Sequence, residues 1–189
     1  MNPSTLQLTF RLGLLGFVVA ILQLAAVSQI TVFGINADLL PLTVGATGLL
    51  CGSLWGAVFG FGVGLLVDAD LFQTMGLSSL CYLTAGYAAG RLRELRDPQG
   101  ALVPLAVGAG ATAVVSIGYS TISFLLGNEA PVSFLLLGQT VVVIAVNALF
   151  ALPVNAMVRR WLLPVLPEDP RRRRRRAYTT GGLSPLSRA

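Results

Sequence analysis

Gly48-Leu49-Leu50-Cys51-Gly52-Ser53-Leu54-Trp55-Gly56-Ala57-Val58-Phe59-Gly60-Phe61-Gly62-Val63-Gly64-Leu65-Leu66-Val67-Asp68 decides how this chain is read. Glycine recurs at every fourth position from 48 to 64, and the next step of four lands on a carboxylate. Residues four apart share one helix face, so the pattern describes a helical surface stripped of side chains. In water each such glycine weakens a helix by about 1 kcal/mol relative to alanine. In a bilayer, where lipid is as apolar as leucine, a bare face lets two backbones touch and pack by dispersion. The stretch is therefore predicted to be a helix-packing seam that receives a partner's transmembrane helix, with Gly52, Gly56, Gly60 and Gly64 as its contact face and Asp68 as a cap at its polar end.

Composition agrees. The 189 residues are 54% hydrophobic and 11% charged, with a mean hydropathy of +0.77, outside the range of ordinary soluble domains. The chain reads as an all-α, polytopic membrane bundle. Apolar runs at Leu12–Phe33, Met75–Gly90, Ala101–Leu126 and Val132–Val158 each approach the roughly 20 residues that cross a bilayer. The first has an apolar core longer than a secretory signal allows, and is read as an uncleaved anchor. Leu39–Val67 fits neither simple geometry. As one helix it would span about 43 Å, and as a hairpin turning within Cys51–Gly56 each arm would span about 20 Å, against a core of about 30 Å. The hairpin gives six membrane segments and is preferred; a single tilted helix, giving five, stays open. Residues 1–162 form the helical domain. Residues 163–189, rich in proline, glycine and arginine, are expected to be a disordered cytoplasmic tail.

Charge sets the orientation. All 13 cations are arginines. With six segments, Arg91, Arg93, Arg159, Arg160 and the block Arg171, Arg172, Arg173, Arg174, Arg175 and Arg176 fall on one side, which the excess of positive charge makes cytoplasmic, along with both termini. The tail block suits anionic lipids at about 1 kcal/mol per arginine. It has no interleaved aromatic residue to stack on bases, so nucleic acid is not expected.

Reactive groups are scarce. Histidine and lysine are absent, which removes imidazole chemistry and the phosphate-binding lysine loop. Cys51 and Cys81 lie in apolar runs and read as buried thiols. Asp68 and Asp70, two apart, point to different helix faces and do not form a catalytic dyad. Asp68 is instead expected to fix the following turn through backbone hydrogen bonds. No cofactor, metal or catalytic residue is assigned. Polar residues within apolar runs are Gln23, Gln139 and Asn147, with Thr112, Ser116 and Ser120 on a stripe with Gly108. Buried amides need partners, so these residues are expected to bond across helices or to border a central polar cavity.

Gly56-Ala57-Val58-Phe59-Gly60-Phe61-Gly62-Val63-Gly64-Leu65-Leu66-Val67-Asp68, then Gly76-Leu77, then Ala85-Gly86-Tyr87-Ala88-Ala89-Gly90-Arg91-Leu92-Arg93 resembles the rod shape-determining protein MreD family. Asp38 before Leu39-Leu40 resembles the opening of that family's second span. The resemblance covers about Asp38–Arg96. It implies a non-enzymatic scaffold of the bacterial elongation machinery for lateral peptidoglycan synthesis, in the inner membrane. The implied partners are MreC, a bitopic protein, and through it MreB, RodA and a class B penicillin-binding protein. It also implies helices arranged similarly to the substrate-binding subunits of energy-coupling-factor transporters. The alternative function is such a transporter subunit, with Gln23, Asn147 and the hydroxyl stripe around a vitamin-sized solute.

Overall fold

The computed structural model describes residues 3–25, 31–32, 35–36, 38–70, 76–95, 102–127 and 134–166. Among these residues the fold is six helices and one small strand pair: α1 Pro3–Ala25, β1 Thr31–Val32, β2 Ile35–Asn36, α2 Leu39–Cys51, α3 Ser53–Asp70, α4 Leu77–Leu95, α5 Leu102–Leu125 and α6 Phe134–Leu162. The strands pair antiparallel, with Thr31 opposite Asn36 and Val32 opposite Ile35. Three helical stretches, Thr5–Gln23, Leu102–Leu125 and Thr140–Leu162, are long and apolar enough to cross a membrane. The chain is a helical bundle with the makings of a membrane protein.

Residues 39–67 are not one helix. Gly52, at φ +99°, closes α2, and its N–H bonds back to the Gly48 carbonyl. Only glycine adopts that backbone without strain. A single residue, rather than the whole stretch 51–56, makes the turn. Gly52 has therefore a backbone role, not a packing one, since a Cβ added there would meet only Glu94 at 3.9 Å. Contacts along the helices fix their directions. Asp38 bonds Tyr82 and the Leu50 carbonyl bonds Arg93, so α2 runs parallel to α4. Ser53 bonds Glu94 and Gly64 abuts Ser79, so α3 runs antiparallel to both.

Helix α2 is the centre of the bundle. Eleven of its residues are buried, and the other five helices all pack against it. At 13 residues it is about 20 Å long, while α3 gains five residues and reaches about 27 Å. Buried Leu8, Leu12, Leu15, Val19, Val44, Phe59 and Val63 form the main apolar cluster.

Several boundaries differ from those read in the sequence. Helix α1 starts nine residues before Leu12 and takes in Arg11, whose charge is accommodated by donating to the Trp161 carbonyl at 2.9 Å. Residues 31–32 are strand rather than the end of a first span. Helix α4 runs past Gly90 to Leu95, since its charged last turn docks on the α2–α3 turn. Helix α6 continues to Leu162 through Pro153. Beyond it, residues 163–165 form a turn, and Val165 and Leu166 pack on the main cluster, so the first residues assigned to the tail belong to the bundle. Arg171–Arg176 and the rest of the tail lie outside the described residues, as do the side chains of Asp70 and Gln139.

Candidate functional site

The glycine face is filled from within. A Cβ at Gly60 would strike the Tyr82 carbonyl oxygen, one at Gly64 the Ser79 backbone, and one at Gly56 both the Gly86 carbonyl and the Gly48 Cα. The arrangement is reciprocal: Gly86 has no room for a side chain against the Gly56 carbonyl, and Gly90 none against Ser53. Gly48 also faces the Gly86 carbonyl. Backbones of α2, α3 and α4 therefore converge at Gly48, Gly56 and Gly86, where a Cα hydrogen occupies each missing Cβ direction. Such Cα–H···O contacts add perhaps 0.5–1 kcal/mol apiece. The expectation that Gly56, Gly60 and Gly64 offer a face to a partner's helix is corrected here, because α4 occupies it.

Both ends of this seam are held by carboxylates at helix N-termini, where unpaired N–H groups and the helix dipole favour negative charge. At one end Asp68, 1% exposed, accepts from the backbone N–H groups of Gly76 (2.8 Å), Ser78 (3.1 Å) and Ser79 (3.3 Å) and from the Ser79 hydroxyl (3.0 Å). These bonds cap α4 across the loop. At the other end Glu94 accepts from the Ser53 N–H (3.2 Å) and hydroxyl (2.5 Å), capping α3, and pairs with Arg91 at 3.1 Å. The Ser53 hydroxyl, its N–H and Arg91 together hold the exposed Glu94 carboxyl below its usual range. Arg93 donates to the Leu50 carbonyl and so closes the C-terminus of α2. Sequence reasoning placed Arg91 and Arg93 on a basic inner surface, and it missed Glu94 and Ser53 altogether. The sequence separation of 41 residues between Ser53 and Glu94 hides the pair.

The intramembrane polar residues converge on a different point, the start of α2. Gln23 Oε1 accepts the Leu39 N–H at 3.0 Å, Asn147 Oδ1 accepts the Asp38 N–H at 3.1 Å, and Asp38 Oδ1 accepts the Leu40 N–H at 3.0 Å. Three N–H groups at the helix start are thus satisfied by side chains from α1, from α6 and from the N-cap residue itself. Asn147, fully buried, also donates to Thr112 Oγ1 at 3.2 Å, and Thr112 donates to the Gly108 carbonyl. Tyr82 bonds the Asp38 carboxyl, whose pKa burial pushes up to about 6 against these hydrogen bonds. The rest of the hydroxyl stripe is not part of this junction. Ser120 donates to the Ser116 carbonyl of its own helix and is exposed. Gln23, Asn147 and Thr112 are spent on holding α2.

Helix α6 packs beside this junction. It touches α5 where Gly108 faces Ala151, then leans to α1, where Val158 and Leu162 join Leu8 and Leu12 and Trp161 exchanges hydrogen bonds with Arg11. Where α5, α6 and α2 meet, Pro104, Val107, Ala151 and Asn155 line a shallow dimple over Leu42, Ala46 and Leu49, too narrow to admit a water molecule. Cys51 and Cys81 are buried free thiols, and among the described residues no cluster of three or more potential metal ligands occurs. No family model, curated protein or solved structure matches this chain.

Proposed function

We propose that the chain is a non-enzymatic integral membrane scaffold of the cell-elongation machinery, holding a bitopic MreC-like protein and, through it, the cytoskeletal MreB, RodA and a class B penicillin-binding protein. On this reading it crosses the inner membrane six times with both termini in the cytoplasm, and the arginine tail rests on anionic lipid. One observation carries the reading. The motif residues that carry the family resemblance, separated along the chain, meet in a single joint: Gly56, Gly60 and Gly64 lie against Tyr82, Ser79 and Gly86, while Asp68 caps the helix that opens at Leu77. A motif that is one packed unit describes a rigid frame, and a rigid frame suits a protein whose work is to position others.

The direct test is loss of the gene in its own host. Cells should round up and regain rod shape when the full chain is restored, and the affinity-tagged chain should bring down a single-span cell-wall protein. Rods that grow unchanged without the gene would overturn the proposal. Topology reporters fused at Arg96 and at the C-terminus should both report a cytoplasmic location, and a periplasmic signal at either would overturn the six-segment arrangement.

A further inference from the structure

Arg11 is a lone cation in an apolar helix. It lies within Thr5–Gln23, a stretch apolar enough to cross a membrane, between the exposed side chains of Phe10 and Leu14. A charge in such a span needs water or an opposite charge. Arg11 Nη1 donates to the Trp161 carbonyl at 2.9 Å, in the last turn of α6, and Trp161 Nε1 returns a bond to the Arg11 carbonyl at 3.4 Å. That carbonyl lies at the negative end of the α6 dipole, but it engages only one N–H of a guanidinium that has five. Among the described residues the only ion pair is Arg91–Glu94, so Arg11, Arg159 and Arg160 have no carboxylate partner there. Asp38 and Asp68 cap helices at the opposite end of the bundle, and Glu94 is held by Ser53 and Arg91. The end where α1 meets α6 therefore carries positive charge that the described fold does not neutralise.

We propose that this seam binds an anionic phospholipid, whose phosphate accepts from the remaining Arg11 N–H groups while its acyl chains lie along the exposed side chains of Leu14 and Val18 on α1 and Met157 on α6. Residues 11, 14 and 18 share one flank of α1, and 157 and 161 one flank of α6, so charge and apolar surface follow each other along both helices in the order that a phospholipid presents them. Beneath the seam Leu8 and Leu12 pack with Val158 and Leu162, which holds Arg11 level with Trp161. The indole of Trp161 is 44% exposed, and such rings settle at headgroup depth. A guanidinium fork matches the oxygens of a phosphate, and the exposed Arg159 and Arg160 at the same end favour a headgroup with net negative charge over a zwitterionic one. A carboxylate from another protein has to come without water into the apolar surroundings of Phe10 and Leu14, whereas a lipid is already there. The site is on the folded bundle and is separate from the arginine block of the tail. The inference rests on the membrane-spanning reading and not on a place in cell elongation.

The experiment is fluorescence quenching by brominated lipid, on the full chain with Trp55→Phe, which leaves Trp161 as the only indole. The chain is reconstituted in phosphatidylcholine vesicles in which one tenth of the lipid is dibrominated phosphatidylglycerol or, for comparison, dibrominated phosphatidylcholine. Phosphatidylglycerol should be enriched about fivefold at Trp161, equivalent to about 1 kcal/mol. Arg11→Gln, which keeps a donor for the Trp161 carbonyl and removes the charge, should bring the two lipids to parity, and Arg11→Lys should keep most of the preference. Glutamine at all six positions from Arg171 to Arg176 should leave the preference intact. Thermal melting of each variant establishes that it is folded; if Arg11→Gln is not, the comparison of the two lipids in the chain with the glutamine tail decides alone. Equal quenching by the two lipids overturns the site, as does a preference that survives in folded Arg11→Gln or that vanishes with the tail arginines. Millimolar inorganic phosphate should leave the quenching unchanged, and relief of quenching by it would mean that Arg11 takes a soluble anion, not a lipid. No partner protein enters these vesicles, so their failure leaves the scaffold reading standing, and rods that grow unchanged without the gene leave the lipid site standing.

Discussion

Along α3 and α4 the backbones touch at Gly56, Gly60, Gly64, Gly86 and Gly90, with a carboxylate closing each end, whereas α5 and α6 meet through Gly108 and the Ala151 side chain and leave the buried Asn155 Oδ1 without a partner. The first pair has no capacity left for another protein, because every hydrogen of the bare face already points at a carbonyl or a Cα. The second pair is joined by side chains and leaves one polar atom unsatisfied. Glycine in an apolar helix thus marks where a membrane protein holds itself together.

The contrast can be broken by substitution. The largest effect is expected at Gly86→Leu, which drives a side chain into the Gly56 carbonyl. It should cost more than about 3 kcal/mol, seen as loss of the folded species in size-exclusion chromatography. Gly110→Leu, with nothing within 4 Å of its Cβ, should run as wild type. Next, Asp68→Asn replaces an acceptor-only group by an amide facing several donors and should cost about 2–3 kcal/mol, read as a lower melting temperature in detergent.

At the start of α2 the expected effect depends on pH. The Asp38 pKa is raised on folding from 3.8 to about 6, so its contribution to stability is complete below pH 4 and is lost as pH rises through 6. Asp38→Asn keeps a capping side chain and should abolish that decline. The variant should be more stable than wild type by about 2 kcal/mol above pH 6 and similar to it near pH 4, as measured by melting across pH 4–8. A smaller loss, about 1 kcal/mol, is expected for Thr112→Val, which takes away the acceptor that Asn147 Nδ2 uses. If Asp38→Asn and Thr112→Val leave stability unchanged at every pH, the polar junction does not hold α2.

The seam was legible in the chain because spacing of four is a property of one helix, visible without knowing what lies opposite. Its partner was not. The choice of α4 rather than an outside helix depends on Gly86 and Gly90 meeting residues 30 or more positions away, and on a turn made by Gly52 alone, whose positive φ leaves no mark in composition. The charged end of α4 was read as a basic inner loop for the same reason. Glu94 and Arg93 act on Ser53 and Leu50, at a distance that no local pattern reports. Gln23, Thr112 and Asn147 are legible as groups that need partners, but the partners include backbone N–H groups at the start of α2, which no spacing in the sequence reports. The stripe of Ser116 and Ser120 predicts bonding across helices or the border of a cavity, yet the Ser120 hydroxyl serves its own helix, a choice that side-chain identity does not reveal.

The central claim, that the glycine face lies against backbone and not against lipid or a partner, is tested most directly by adding one methyl group at two neighbouring positions. The melting temperatures of Gly60→Ala and Gly62→Ala should move in opposite directions. At Gly62, where a Cβ meets nothing within 4 Å, alanine should stabilise the helix by up to about 1 kcal/mol; at Gly60 the same methyl strikes the Tyr82 carbonyl and should lower the melting temperature. An equal rise at both positions would mean that the face of Gly56, Gly60 and Gly64 is open, and would contradict the account.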